Sequence, residues 1–346
     1  MKTVKKILKV LLFIVLLLVA IVVVWWFLPA RTPHIKSKSH QTIASLEYLK
    51  IGGIEQCVLI RSENSSNPII LFLHGGPGMP MMYLAHEFQK PLEKHFTVVQ
   101  WDRRGAGKSY TRNIPPIESI NTRQVVNDAY DLIDTLRHRY GKNRIILVGH
   151  SYGTYLGSIM VNEHPELFSC YVSIGQVVDD GKAAVIQERF IREQAIEHNR
   201  RDIIDALNNP RKPSFENWLF EFGGELKHHK SFMPLIWSGL FAPEYTLKDA
   251  MNVAKGSGFN LKYMKENVLD SSIYFKIRNY KVPVYFFVGT NDYTTPAELI
   301  TEYYHIIQAP EKGIIRFENS AHFPFYEEPE KFCNELIKTV RPEIRE

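Results

Sequence analysis

The chain has 346 residues, 45% of them hydrophobic and 23% charged, ordinary values for one large α/β domain that buries a sizeable core. Net charge is +5, but Lys2, Lys5, Lys6 and Lys9 supply four of those charges, so the rest of the chain is near +1 and no basic stripe remains to track nucleic acid. The three cysteines, Cys57, Cys170 and Cys333, are widely spaced without a Cys-x-x-Cys, which excludes a disulfide framework and a cysteine zinc site.

Residues 10–28 contain neither a charge nor a proline. A bilayer crossing needs about 20 apolar residues, and the lysines before this stretch would hold the N-terminus in the cytoplasm. The expectation is a transmembrane anchor over 1–30 at the cell membrane, with the body outside the cytoplasm. The alternative is a cleaved signal peptide and a secreted body, although Leu28-Pro29-Ala30 puts a leucine where a small residue is wanted. Residues 31–44 are polar and basic and read as a linker.

Two extended runs, 45–51 and 54–61, flank Gly52-Gly53 and predict a β-hairpin. Residues 69–73 are wholly apolar, as in a strand covered on both faces. His74-Gly75-Gly76-Pro77-Gly78 follows, a glycine-rich loop that lets the backbone approach a reacting oxygen. Residues 83–95 are expected to be a helix and 96–100 a strand. The tail of 101–109, Gly105-Ala106-Gly107-Lys108-Ser109, imitates a phosphate loop. The match fails because Asp102 stands where the first glycine belongs, and Pro115-Pro116 is expected to prevent a helix there. Asp102, Arg104 and Ser109 instead should tie this loop together by hydrogen bonds.

Residues 122–140 carry apolar side chains at helical spacing, and Gly141 ends that helix. Residues 144–148 read as a buried strand, followed by Gly149-x-Ser151-x-Gly153 and a helix to Glu163. This is the strand–turn–helix context of a nucleophile elbow, in which a tight turn requires small neighbours on either side of the serine. Residues 167–174 give a further strand, so strands and helices alternate and a parallel sheet is expected. Residues 177–280 change character to helices rich in aromatics and read as a cap inserted into the core, which comprises 45–176 and 281–346. The sheet resumes at 282–289, and Asp292 follows it by three residues. Residues 295–308 predict a helix, 313–317 a strand, and His322 lies on the loop after that strand, before a closing helix over 328–341.

The order Ser151, Asp292, His322 is that of nucleophile, acid and base in an α/β hydrolase. A serine hydroxyl needs a base to take its proton, and a carboxylate to orient that base. Asp179 and Asp180, after the preceding strand, are the second choice for the acid. The backbone N–H groups of the 74–78 loop and of Tyr152 would form the oxyanion hole. No nucleotide, flavin or metal motif occurs, so no cofactor is expected.

These segments, His74-Gly75-Gly76-Pro77-Gly78, Asp102-Arg103-Arg104-Gly105-Ala106-Gly107-Lys108-Ser109 and Gly149-His150-Ser151-Tyr152-Gly153, resemble the proline iminopeptidase branch of α/β hydrolases from about residue 45 to the C-terminus. The resemblance implies an α/β-hydrolase fold, with Ser151, Asp292 and His322 as triad and Gly76 and Tyr152 as oxyanion donors. It implies removal of N-terminal residues from short peptides, and cap carboxylates that bind the free amine, for which Glu216, Glu221 and Glu225 are candidates. Arg103 departs from the family's usual glutamine, and Tyr152 and Thr154 from its tryptophan and second glycine. Those elbow residues are found in many esterases of the fold, so hydrolysis of acyl esters is the alternative, and a silent binding scaffold the third reading.

Overall fold

A computed structural model describes residues 2–37, 41–209, 214–264 and 276–342. Within the expected insertion and linker, 38–40, 210–213 and 265–275 therefore lie outside the described residues. An eight-stranded sheet has the order β1-β2-β4-β3-β5-β6-β7-β8. Its strands are β1 (Ile43–Ile51), β2 (Ile54–Ser62), β3 (Ile69–Leu73), β4 (Thr97–Asp102), β5 (Ile145–His150), β6 (Phe168–Ile174), β7 (Val284–Gly289) and β8 (Lys312–Phe317). β1 and β2 pair antiparallel around Gly52 and Gly53, both at positive φ, which fits the two-residue turn expected there. β2 also runs antiparallel to β4, and from β4 to β8 every pairing is parallel.

The continuous apolar runs of β3 and β5 follow from burial on both faces. Ile69, Leu71 and Leu73 face a core shared with Val125, Leu132 and Leu136 of α4 (Thr122–Tyr140) and Leu156 and Met160 of α5 (Tyr152–Glu163). Ile70 and Phe72 face the opposite core, with Phe88, Phe332 and Leu336. α4 starts where the Asn121 side chain accepts the Gln124 N–H and ends at Gly141 in the left-handed conformation.

Three expectations need correction. The helix expected over 83–95 is broken: α2 (Ala85–Phe88) is flanked by two 3-10 turns, and Pro91 lies in the second. A six-residue helix, α3 (Gly107–Arg112), does form before the prolines, and ends where Asn113 turns extended. Its first turn is engaged within the chain: the Lys108 N–H donates to the Asp102 carboxylate, and Lys108 Nζ lies 2.6 Å from Asp249.

The third correction concerns the N-terminus. The chain is helical over α1 (Lys2–Phe27). Crossing a bilayer takes about 20 consecutive apolar residues, and among the described residues no helix is long and apolar enough to do so. The expected transmembrane anchor and membrane localisation are overturned on that ground. The segment after α1 is not a loose linker throughout: Arg31 N–H donates to Pro243 O (2.9 Å), and Arg61 Nη1 donates to Pro33 O (2.7 Å).

Between β6 and β7 run α6 (Asp180–Glu197), α7 (Arg201–Leu207), α8 (Glu216–Glu221), α9 (Met233–Leu240) and α10 (Leu247–Tyr263). α10 is fastened to the core through Lys108–Asp249 and through Asn260, whose side-chain amide donates to Gly105 O at 2.7 Å.

Candidate active site

The turn after β5 places Ser151 at the N-terminus of α5 with φ 52° and ψ −125°, a strained conformation for a residue with a side chain. The turn is held by Ser151 N–H to Ile174 O (3.0 Å) and Thr154 N–H to Ser151 O (2.7 Å). Its glycines are required by close approach. A Cβ at Gly153 would lie 2.1 Å from the Leu73 carbonyl oxygen, and one at Gly149 would lie 2.7 Å from Gly153 O. Thr154, where the resembled family has glycine, is accommodated because its hydroxyl accepts the Val177 N–H at 2.8 Å.

Asp292 and His322 come from the loops after β7 and β8, at the same carboxyl end of the sheet. Both are buried, and His322 Nδ1 donates to Asp292 Oδ2 at 2.8 Å. Asp292 also accepts the Thr295 N–H and hydroxyl, each at 2.8 Å, so its carboxylate is fixed on several sides. Burial pulls the His322 imidazole down, but Asp292 pushes it up more strongly through charge and hydrogen bond, to about 9. With Nδ1 engaged, Nε2 is the nitrogen left to exchange a proton with a reactant. Asp179 takes no such position: it caps α6, accepting the Lys182 N–H at 2.9 Å.

Ser151 and His322 line one cavity of about 540 Å³, together with Gly75, Gly76, Glu216 and Glu225. Met79, Met81, Phe232 and Phe323 give it apolar walls. That volume suits a small ligand. Gly76 sits at φ 111°, where a Cβ would come within 2.5 Å of the Gly78 and Met79 nitrogens, so the loop path needs glycine. Of the three candidate carboxylates, Glu216 and Glu225 reach the cavity. Glu221 instead pairs with Arg200.

Glu225 is buried beside the histidine loop. Its backbone oxygen accepts the His322 N–H at 3.0 Å, and its carboxylate accepts from the Thr294 hydroxyl. Burial raises its pKa to about 7, with His322 opposing and Asp292 adding to the shift. Glu327 was missed in the sequence. Its carboxylate accepts the Ala321 and Lys227 N–H groups, each at 2.7 Å, tying the histidine loop to the segment between β6 and β7. Nothing local in the sequence marks Glu327, whereas the Asp292-x-x-Thr295 spacing, which suits a side chain accepting an N–H three residues on, is a local sign of the Thr295 support for Asp292. Among the described residues, no group of three or more His, Cys, Asp or Glu is arranged to hold a metal ion.

The chain matches the family model for the alpha/beta hydrolase fold over residues 68–329, and it belongs to that family of hydrolases. Within it, the chain resembles proline iminopeptidases. It is 32% identical over 312 residues to a probable aminopeptidase, YbaC, of Bacillus subtilis, which covers 87% of this chain and 98% of the relative. It is 27% identical over 296 residues to a proline iminopeptidase of Lactobacillus acidophilus, covering 80% and 90%. The crystal structure of proline iminopeptidase from Mycobacterium smegmatis superposes with a TM-score of 0.65 at 17% identity, over 86% of this chain and 98% of that one, a likeness of fold.

Proposed function

We propose that this hydrolase is a serine aminopeptidase that releases an N-terminal residue, preferably proline, from short peptides through an acyl-enzyme. The observation that carries the reading is that Ser151 and His322 share one cavity while Asp292 holds the far nitrogen of the imidazole.

Ser151 Oγ attacks the scissile carbonyl carbon while His322 Nε2 takes the hydroxyl proton. The carbonyl electron pair moves onto oxygen, and the N–H groups of Gly76 and Tyr152 stabilise that oxyanion. Collapse of the intermediate breaks the C–N bond, and the leaving amine takes the proton from His322. Water, deprotonated by His322, then attacks the acyl-enzyme and frees Ser151. Asp292 accepts the Nδ1 proton's hydrogen bond and fixes the tautomer. The described residues between β6 and β7 act as a cap over the cavity, and Glu225, with Glu216, receives the substrate's ammonium group.

The test compares initial rates on a free-amine prolyl arylamide and its amine-blocked form, beside a Ser151→Ala control. A large preference for the free amine supports the reading, and equal rates refute it. A second reading, acyl-ester hydrolysis, is favoured by two observations. The cavity walls are largely apolar, and a Glu225 carboxyl near pKa 7 is only half ionised at neutral pH. Faster turnover of a short-chain ester, indifferent to an amine, would establish it.

A further inference from the structure

Arg103 is buried, yet among the described residues no carboxylate pairs with it, and its Nη1 has no hydrogen-bond partner. Its Nε donates to His74 Nε2 at 3.1 Å, and its backbone N–H reaches the same nitrogen at 3.3 Å. His74 is held neutral by burial and by the Arg103 charge, so it accepts without neutralising the guanidinium. Arg103 Nη2 donates to Gly75 O at 2.8 Å, and its Cζ lies 5.4 Å over the Tyr152 ring centroid.

Gly75 O and the Gly76 N–H belong to one peptide unit. A cation bonded to that carbonyl fixes the plane of the peptide and polarises its N–H toward the cavity. The same cation packs on the side chain of Tyr152, the other expected donor. A buried, unpaired charge costs the fold free energy, so stability does not explain its presence here. We infer that Arg103 is a positioning residue for the oxyanion hole, acting through the Gly75–Gly76 peptide and Tyr152 to strengthen binding of the transition-state oxygen. The inference rests on Ser151 as nucleophile.

The test uses the full chain with Arg103→Met, Arg103→Gln and Arg103→Lys. The readouts are kcat and KM on a short-chain p-nitrophenyl ester, Ki for a short alkylboronic acid whose serine adduct carries an anionic oxygen, and the melting temperature. Arg103→Met should lower kcat by about 10- to 100-fold with KM within about twofold, since loss of a whole oxyanion donor costs about 100- to 1,000-fold. The boronic acid Ki should rise in parallel with the fall in kcat, and the melting temperature should not fall. Arg103→Lys keeps the charge without the fork, so it should show a smaller loss, about 3- to 10-fold, in the same two quantities. It carries the test if the other variants do not fold. Any folded variant with kcat and boronic acid Ki both within about twofold of wild type overturns the proposal. Failure of the nucleophile reading looks different: Ser151→Ala would keep its turnover.

Discussion

Replacing Glu225 with glutamine removes a charge from the cavity and little else. Gln is nearly isosteric, and its amide oxygen can still accept from the Thr294 hydroxyl. The backbone bond from His322 N–H to Glu225 O is untouched. If Glu225 receives the substrate ammonium, the variant loses one charge-assisted hydrogen bond, worth about 1.5–3 kcal/mol. With its pKa near 7, Glu225 is about 90% ionised at pH 8, so the assay belongs there. The expected loss in kcat/KM on a free-amine prolyl arylamide is about 10- to 150-fold, at about 1.4 kcal/mol per factor of ten. The amine-blocked arylamide, or an ester without an amine, should lose less than about threefold. A second effect checks the geometry independently. Glu225 is one of the groups that raise the His322 pKa, so the rise of activity with pH should shift to lower pH in the variant. Equal losses on free and blocked substrates, with no shift in the pH profile, would refute the placement of Glu225 against both amine and histidine.

Other outcomes follow from the same site and its frame. As the proposed base, His322 would have to be neutral to act, and with its pKa raised to about 9 only about 1% of free enzyme would be active at pH 7. Ester kcat/KM should therefore climb about tenfold per pH unit from 7 toward 9, and a plateau already reached at pH 7 contradicts the raised value. Gly153→Ala drives a Cβ to 2.1 Å from the Leu73 carbonyl, backbone against backbone. It should cost about 3 kcal/mol or more in urea unfolding, or leave the chain insoluble; a variant of wild-type stability would show that the elbow can relax. Asp128 accepts from Gln56, Arg104 and Gln124 in a fully buried position. Asp128→Asn leaves the Arg104 guanidinium without its counter-charge and should cost about 3–5 kcal/mol by denaturant titration. A cost below about 1 kcal/mol would mean that water reaches the pair.

Much of the fold was legible because its signals are local. The strand before Ser151, the glycines around it, the Gly52-Gly53 turn and the apolar run of β3 each specify their own neighbourhood. The positions of Asp292 and His322 after strands were legible for the same reason. What was not legible depends on contacts between distant segments. Nothing near Arg103 in the chain shows that it will reach Gly75 and cover Tyr152. Glu327, five residues past His322, reads as a surface glutamate until Ala321 and Lys227 are brought to it. Among the three candidate glutamates, spacing alone does not separate Glu221, drawn off by Arg200, from Glu216 and Glu225 at the cavity. α2 was overextended because helical periodicity continues through Pro91, where the backbone does not. For the N-terminal stretch, hydropathy suggested a bilayer span, whereas no helix among the described residues is long and apolar enough to cross one.

The central claim is that Ser151 forms the acyl-enzyme of an amine-reading hydrolase. The most direct measurement is intact mass and peptide mapping after a fluorophosphonate probe, paired with rates on the free and blocked prolyl arylamides. The expected result is one adduct on Ser151, none in Ser151→Ala, and at least about 100-fold preference for the free amine, equivalent to about 2.7 kcal/mol at the transition state. Labelling elsewhere, or turnover that survives in Ser151→Ala, would contradict the nucleophile. A labelled Ser151 with no preference between the two substrates would contradict the aminopeptidase.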